Sequence, residues 1–190
     1  MIIDDTYFIR KINLPQTGST DGRAEVQGFI DTYEPEYLQK VLGYPLWKAF
    51  TDGIAGSGEP DARWLTLLDG AEFTYNSSTI KWPGFTAKPS PISQYIYYQE
   101  AEDRAKDTVL VGTSTGSTDN ATRVSPASKM IDAWNVMTGL NVLLWNFLNA
   151  NKSTYPEWKP TGYYNTWYWP DQIGYCHRNE LFNRKNALDL

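Results

Sequence analysis

Cysteine and histidine are almost absent from this sequence, with one of each in 190 residues. A single cysteine excludes a disulfide framework within the chain, and the two residues are too few for a zinc site built from cysteine and histidine. Long apolar runs are missing too, and none approaches the roughly 18 residues that a membrane-spanning helix needs. Asp4 and Asp5 lie near the start of the sequence, where a secretory signal would carry basic residues. We therefore expect no signal peptide and a cytoplasm-like compartment.

Positive charge is also in short supply, since 17 basic residues face 22 acidic ones, for a net charge of −5 and a pI of about 4.9. This balance argues against broad attraction to a nucleic-acid backbone. Aromatic residues, in contrast, reach 15% and include 8 Trp and 13 Tyr, which indicates large apolar surfaces to bury in a core or an interface. The rest of the composition predicts one folded domain over residues 1–190.

Short helices that open with proline and close with glycine are predicted in the first half of the chain, because proline costs nothing at the first helical position. Their openings and ends are Pro35 to Gly43, Pro45 to about Gly53, and Pro60 to Gly70. A further short helix is expected over residues 24–30.

The second half of the chain begins with a strand signal. Phe73 and Tyr75, then Ile80 and Trp82, alternate with polar neighbours around residues 76–78, which predicts a β-hairpin with a three-residue loop. Ser90-Pro91 and Ser125-Pro126 then predict two longer helices, which run to about Lys106 and about Asn149. The expected fold is mainly α: a compact bundle of about five to six helices with a small β-hairpin and an extended loop or hairpin arm.

Three segments fall outside this regular pattern. Residues 107–124 open with an apolar stretch that we expect to be extended, and continue as a polar run that is either a disordered loop or an arm pairing with another chain. Residues 151–177 are rich in aromatics but interrupted by proline and glycine, and residues 178–190 form a polar C-terminal tail with a few spaced apolar side chains.

Catalytic signals are weak. Cys176 and His177 are adjacent and therefore point apart on most backbones, and the glycines of residues 53–58 lack the lysine of a phosphate-binding loop. The acidic candidates for acid–base chemistry are Glu34, Glu36, Glu72, Glu100, Glu102 and Asp103. Arg104 and Lys106 lie beside the last three, a pattern typical of a solvated helix face. We predict no enzymatic activity, no cofactor and no metal.

The aromatic segment permits two interpretations. Exposed Trp and Tyr side chains could stack on sugar rings, which would make the chain a glycan-binding module or a virion adhesin. Alternatively the segment is a flap over the helices or a contact between subunits. The residues concerned are Trp158, Tyr163, Tyr164, Trp167 and Trp169.

A series of motifs resembles a known family. They are the run YEPEYLQKVLGYPLWKAF at 33–50, WLTLLDGAEF at 64–73 followed by KWPG at 81–84, PISQYIYY at 91–98, and VSPASK at 124–129. Their order resembles the small head–tail connector (adaptor, or head-completion) proteins of tailed bacteriophages, of the type found in phages of gut bacteria, including crAss-like phages. The resemblance covers roughly residues 30 to 130.

This resemblance implies a structural virion protein, made in the host cytoplasm and located in the neck between the capsid portal and the tail. It implies a ring of copies, usually twelve, that binds the portal protein and other neck or tail proteins. Phage DNA would pass through the lumen without sequence-specific binding, and no membrane is involved.

The resemblance also implies roles for two segments, an arm between subunits and a terminal tail that clasps the portal. The arm candidates are Val109, Leu110, Val111, Thr113 and Arg123. The tail candidates are Leu181, Phe182, Leu188 and Leu190.

Deleting residues 112–120 should therefore spare folding of the monomer but weaken assembly, because main-chain pairing by an arm contributes to the interface and not to the core. Circular dichroism and native mass spectrometry of the deletion variant measure the two effects. A deletion variant that fails to fold would place the segment in the core.

Overall fold

The computed structural model describes residues 1–14, 19–56, 58–110, 127–159, 180–182 and 184–186. Over these residues the chain forms five α-helices and one antiparallel two-stranded sheet, which confirms the predicted mainly helical fold with a small hairpin. The helices are α1 (Thr20–Leu42), α2 (Tyr44–Ala55), α3 (Ala62–Asp69), α4 (Pro91–Leu110) and α5 (Ala127–Ala150). The strands are β1 (Ala71–Tyr75) and β2 (Ser78–Trp82), and short 3-10 turns lie at Asp5–Tyr7, Arg10–Ile12 and Glu180–Phe182.

Helix α1 differs from the sequence prediction, because Pro35 lies inside it and does not open it. The Ser19 hydroxyl caps the helix by accepting from the Gly22 amide at 3.0 Å, and the segment expected over 24–30 is its first half. An interior proline costs about 3 kcal/mol or more. The buried stripe that continues across it, including Ile30, Tyr37 and Val41, outweighs that cost.

Helices α2 and α3 also have boundaries that differ from expectation. Helix α2 runs past Gly53, because that glycine leaves room for the Trp64 ring: a Cβ at position 53 would lie 2.0 Å from Trp64 Nε1. Helix α3 begins two residues after Pro60, with the Asp61 side chain accepting from the Arg63 amide at 3.4 Å. The predicted end at Gly70 is confirmed.

The hairpin is tighter than predicted, with a two-residue loop in place of three. Ser78 already pairs with Tyr75, and Asn76 and Ser77 have φ values of 50° and 63°. Two consecutive positive φ values define the type I′ turn, whose twist matches that of the paired strands.

The base of the hairpin is held against the end of α3 by two glycines. A Cβ on Gly70 would lie 2.3 Å from the Trp82 carbonyl oxygen, and one on Gly84 would lie 2.3 Å from that of Leu68. The same approach lets the Phe85 and Thr86 amides donate to the last α3 carbonyls at 3.1 and 2.9 Å.

Helix α4 starts as predicted, with the Ser90 hydroxyl accepting from the Ile92 amide at 3.2 Å. It ends later than predicted, at Leu110 and not near Lys106. Val109 and Leu110 are therefore in the last helical turn, so the expectation of an extended backbone at these two residues is wrong. The sequence has no helix-ending residue before that point, since no glycine or proline lies between residues 92 and 110.

The core lies between α1, α4 and α5, with α2, α3 and the hairpin packed around it. Many of the aromatic side chains lie in this core. Ring pairs at centroid distances of 5.3 to 6.2 Å run through Trp82, Phe85, Phe50, Trp64 and Tyr155. Such contacts add to the burial of apolar area and explain why so many aromatics suit a chain of this length.

Replacing Ser77 by glycine should stabilise the protein by about 1 kcal/mol, because the left-handed conformation costs a residue with a Cβ roughly that much. Ser78→Gly is the matched control, and it should destabilise by roughly 0.5–1 kcal/mol because it introduces glycine into β2. Urea denaturation of both variants checks the opposite signs, and equal effects would contradict the turn assignment.

Candidate functional site

A groove of about 690 Å³ lies between the N-terminal segment, the turn before α4 and the outer face of α5. Its lining side chains are Tyr7, Ile9, Arg10, Lys11, Ile12, Lys88, Pro89, Gln94, Lys129, Asp132, Ala133, Asn135, Val136 and Arg184. We call it the basic groove, because five of these side chains are cationic and one is a carboxylate. The volume falls within the range of ligand-binding clefts.

The N-terminal wall of the basic groove is held by contacts with the turn before α4. The Tyr7 hydroxyl donates to the Thr86 carbonyl at 2.9 Å, and Lys88 Nζ donates to the Thr6 carbonyl at 3.0 Å while lying 4.5 Å from the Tyr7 ring centroid. Burial, with smaller contributions from Asp4 and Asp69, raises the pKa of Tyr7, so the phenol stays protonated as a donor. Next along the chain, Arg10 has a φ of 59°, a left-handed conformation that is rare for arginine.

The opposite wall is set by two hydrogen bonds between Asn135 and Lys185. Asn135 Nδ2 donates to the Lys185 carbonyl at 3.1 Å, and the Lys185 amide donates back to Asn135 Oδ1 at 2.9 Å. The Lys185 ammonium donates to the Tyr98 hydroxyl at 2.6 Å and lies 4.2 Å from the Trp134 ring centroid. These contacts fix residue 185 and thereby place the neighbouring Arg184 at the rim of the groove.

Within the described residues, most cations of the basic groove have no acidic partner. Asp132 accepts from Lys11 at 3.2 Å, and both side chains are well exposed. Arg10, Lys129 and Arg184 are exposed and form no hydrogen bond or ion pair with another residue of the described ranges. The groove therefore presents a surplus of positive charge on a chain of net charge −5.

Sequence reasoning missed this groove, because its cations come from segments far apart in the chain. One signal was present: the sequence has two Arg-Lys pairs, 10–11 and 184–185, and each contributes to the groove or its wall. Nothing in their local pattern shows that the fold brings the two pairs to the same helix.

The arm predicted over 107–124 lies largely outside the described residues. Val111, Thr113 and Arg123 are among the residues not described. Val109 and Leu110 have a described helical backbone only. Their role between subunits stays a prediction.

The aromatic segment is described only at its start, where it covers the helices. Tyr155 and Trp158 are 1% and 4% exposed, and the Tyr155 hydroxyl donates to the Arg63 carbonyl at 2.8 Å. Arg63 also forms an ion pair of 3.1 Å with Glu157. These two aromatic rings are therefore buried and unavailable for stacking on a sugar. Tyr163, Tyr164, Trp167 and Trp169, on which the glycan alternative depends, lie outside the described residues.

Two of the predicted tail contacts occupy the core. Leu181 and Phe182 are 0% and 2% exposed and pack on α5. Leu181 and Phe182 are therefore core residues of the monomer, and their burial does not support the expected contact of these two side chains with a portal. Leu188 and Leu190 lie outside the described residues.

Several of the carboxylates considered for catalysis have structural partners. Glu34 accepts from the Ile2 and Ile3 amides at 2.9 and 3.2 Å, and Glu36 forms an ion pair of 2.6 Å with Lys40. Glu100 is 3% exposed and pairs with Arg104, which corrects the expectation of a solvated face there. Burial raises the pKa of Glu100, and Arg104 opposes this only in part.

No protein-family model, curated protein or solved structure matches the chain. Among the described residues, no helix is long and apolar enough to span a membrane, and no group of three or more His, Cys, Asp or Glu side chains could hold a metal ion. The basic groove therefore stands as a candidate site on its own geometry and charge.

Replacing Asn135 by alanine should destabilise the protein by about 1–2 kcal/mol, because two hydrogen bonds to residue 185 are lost. It should also speed hydrogen exchange at the Lys185 amide, because this amide donates to Asn135 Oδ1 in the wild-type protein. Asn146→Ala, on the same helix and with no such contact among the described residues, is the control. Comparable exchange at Lys185 in both variants would contradict the double hydrogen bond.

Proposed function

We propose that this protein is a structural component of a tailed-bacteriophage neck, where copies of the chain form a ring that joins the portal to the tail. The motif series over residues 33–129 supports this proposal, and its members occupy α1 to the start of α5 in order. The resemblance also implies a mostly helical fold, and the described residues have one.

Exposed apolar side chains on α5 carry the proposal. Val136 and Val142 are 41% and 38% exposed, and the half-buried Gly139, Leu140 and Leu143 lie between and beside them at spacings of three and four residues. Scattered apolar residues on a surface are ordinary, but a row along one helix face is typical of a contact with another protein.

A ring also requires a second surface, because cyclic contacts join two different patches on each copy. Tyr44 on α2 and Leu65 on α3 are 57% and 41% exposed, so exposed apolar side chains occur on elements other than α5. The chain therefore offers candidate surfaces for both sides of a heterologous contact.

Charge distribution fits passage of DNA through such a ring. Five of the 17 basic residues line the basic groove, which leaves the remaining surface more acidic than the net charge of −5 indicates. An acidic lumen repels the DNA backbone within about 8–10 Å, the Debye length at physiological salt.

Native mass spectrometry of the purified protein, alone and with the portal of the same virion, tests the proposal. A protein that stays monomeric and ignores the portal would contradict it.

The double substitution of Val136→Asp and Val142→Asp should abolish the high-order complex, because charged side chains would be buried at the ring contact. The stability of the monomer should change by no more than about 0.5 kcal/mol, since both sites are exposed. Ser128→Asp, an exposed polar position on the same helix, is the control and should assemble normally. Assembly of the double variant at wild-type strength would exclude the α5 face from the contact.

A further inference from the structure

The basic groove brings together cations from four separate parts of the chain: Arg10 and Lys11, Lys88, Lys129, and Arg184. One carboxylate lines it, that of Asp132, and Lys11 already engages it at 3.2 Å. Like charges that line one groove repel one another, and the repulsion is relieved when an anionic ligand binds. We propose that the basic groove binds an acidic peptide segment of a partner protein. This inference holds whether or not the chain forms a ring, although the groove shares Val136 with the α5 face proposed for the ring contact.

Donors for a carboxylate ligand are present at both rims of the groove. Arg10 and Arg184 are exposed and unengaged by other described residues, and each guanidinium can bind a carboxylate through two parallel hydrogen bonds. Lys129 adds a third open cation from α5. Lys88 donates to the Thr6 carbonyl and hydroxyl oxygens, which leaves the third proton of its ammonium for a ligand.

The walls between these cations are apolar, and this favours a peptide over a simple inorganic anion. Ile9 and Val136 are 44% and 41% exposed, and Pro89 and Ala133 line the same space. In an extended peptide successive side chains point to opposite sides. A segment that alternates acidic and apolar residues therefore places carboxylates against the cations and apolar side chains against Ile9 and Val136.

A nucleic acid fits the groove less well than a peptide does. Binding of single strands depends on open aromatic faces on which bases stack. Tyr7 is the aromatic side chain among the lining residues, but Lys88 lies 4.5 Å from its ring centroid and its hydroxyl is engaged by Thr86. Among its described lining residues, the groove thus offers charge and apolar surface but no free ring.

The geometry of the two rims is fixed before any ligand binds. Arg10 is held in a left-handed backbone conformation at the start of the Arg10–Ile12 turn, whose Ile12 side chain is buried. Arg184 precedes Lys185, which Asn135 holds through two hydrogen bonds. A binding surface that is ordered in advance loses less conformational entropy on association.

The test uses the full chain and short fluorescein-labelled peptides in which glutamate and leucine alternate, with glutamine in place of glutamate as the neutral control. Fluorescence anisotropy at roughly 0.15 M ionic strength gives the affinities, and a single-stranded DNA of similar length is measured in parallel. The variant is Lys129→Glu with Arg184→Glu. The matched control is Lys81→Glu with Lys152→Glu, which makes the same change in net charge at two exposed positions that do not line the groove.

We expect the acidic peptide to bind and the glutamine peptide to bind at least about tenfold more weakly, the difference that 1.4 kcal/mol makes. The groove variant should lose about tenfold in affinity, and the control variant should lose less than about twofold. Absence of peptide binding, or equal loss in both variants, overturns the proposal. So does DNA that binds more tightly than the peptide through the same residues. Self-association through Lys129 and Arg184, seen by sedimentation without any peptide binding, would make a second copy the occupant and would also overturn it.

Discussion

The buried side chain of Asn141 is the contact on which the rest of the architecture depends. It lies on α5 with no exposed surface, accepts from the Tyr37 hydroxyl of α1, and donates to the Leu181 carbonyl at 2.8 Å. An apolar residue at this position would remove both hydrogen bonds, and a buried polar group that loses its partner costs roughly 1–3 kcal/mol. Because the amide joins α1, α5 and the C-terminal turn, it also sets where the chain continues towards Arg184. The wall of the basic groove therefore rests on an interaction inside the core.

Separation of charge is the second principle of this structure. An acidic chain gathers five cations in one concave surface, and few of them are neutralised within the described residues. Folding gains nothing from such an arrangement, since like charges oppose compaction. Two adjoining kinds of surface result, which share Val136: a basic, partly apolar groove suited to one anionic partner, and an apolar face of α5 suited to copies or neighbours of the chain. An assembly protein with several partners needs distinct surfaces of this kind.

Local signals predicted the parts of the fold that local chemistry decides. Ser90 as a helix cap, Gly70 as a helix end and the strand alternation through Phe73 and Trp82 were read correctly. Pro35 was wrongly predicted to open a helix. The free-energy cost of a proline inside α1 is offset by packing against residues far along the chain, which a local sequence pattern does not show. The basic groove was not predicted for the same reason. Arg10 and Arg184 are more than 170 residues apart in the sequence, and only the tertiary fold brings them to one groove. Leu181 and Phe182 show the complementary error, since polar neighbours concealed two core side chains.

Gly70 and Gly84 bring the end of α3 close to the base of the hairpin, and this limits where the hairpin can be lengthened. At Gly70 and Gly84 the main chains approach so closely that a single added carbon would meet a carbonyl oxygen at 2.3 Å. Extra residues at this junction would separate the two main chains and unpair the carbonyls that end α3. The tip at Asn76 and Ser77 has no such neighbour in the sheet and faces solvent. We therefore expect insertions that lengthen the hairpin to be tolerated better at its tip than at its base.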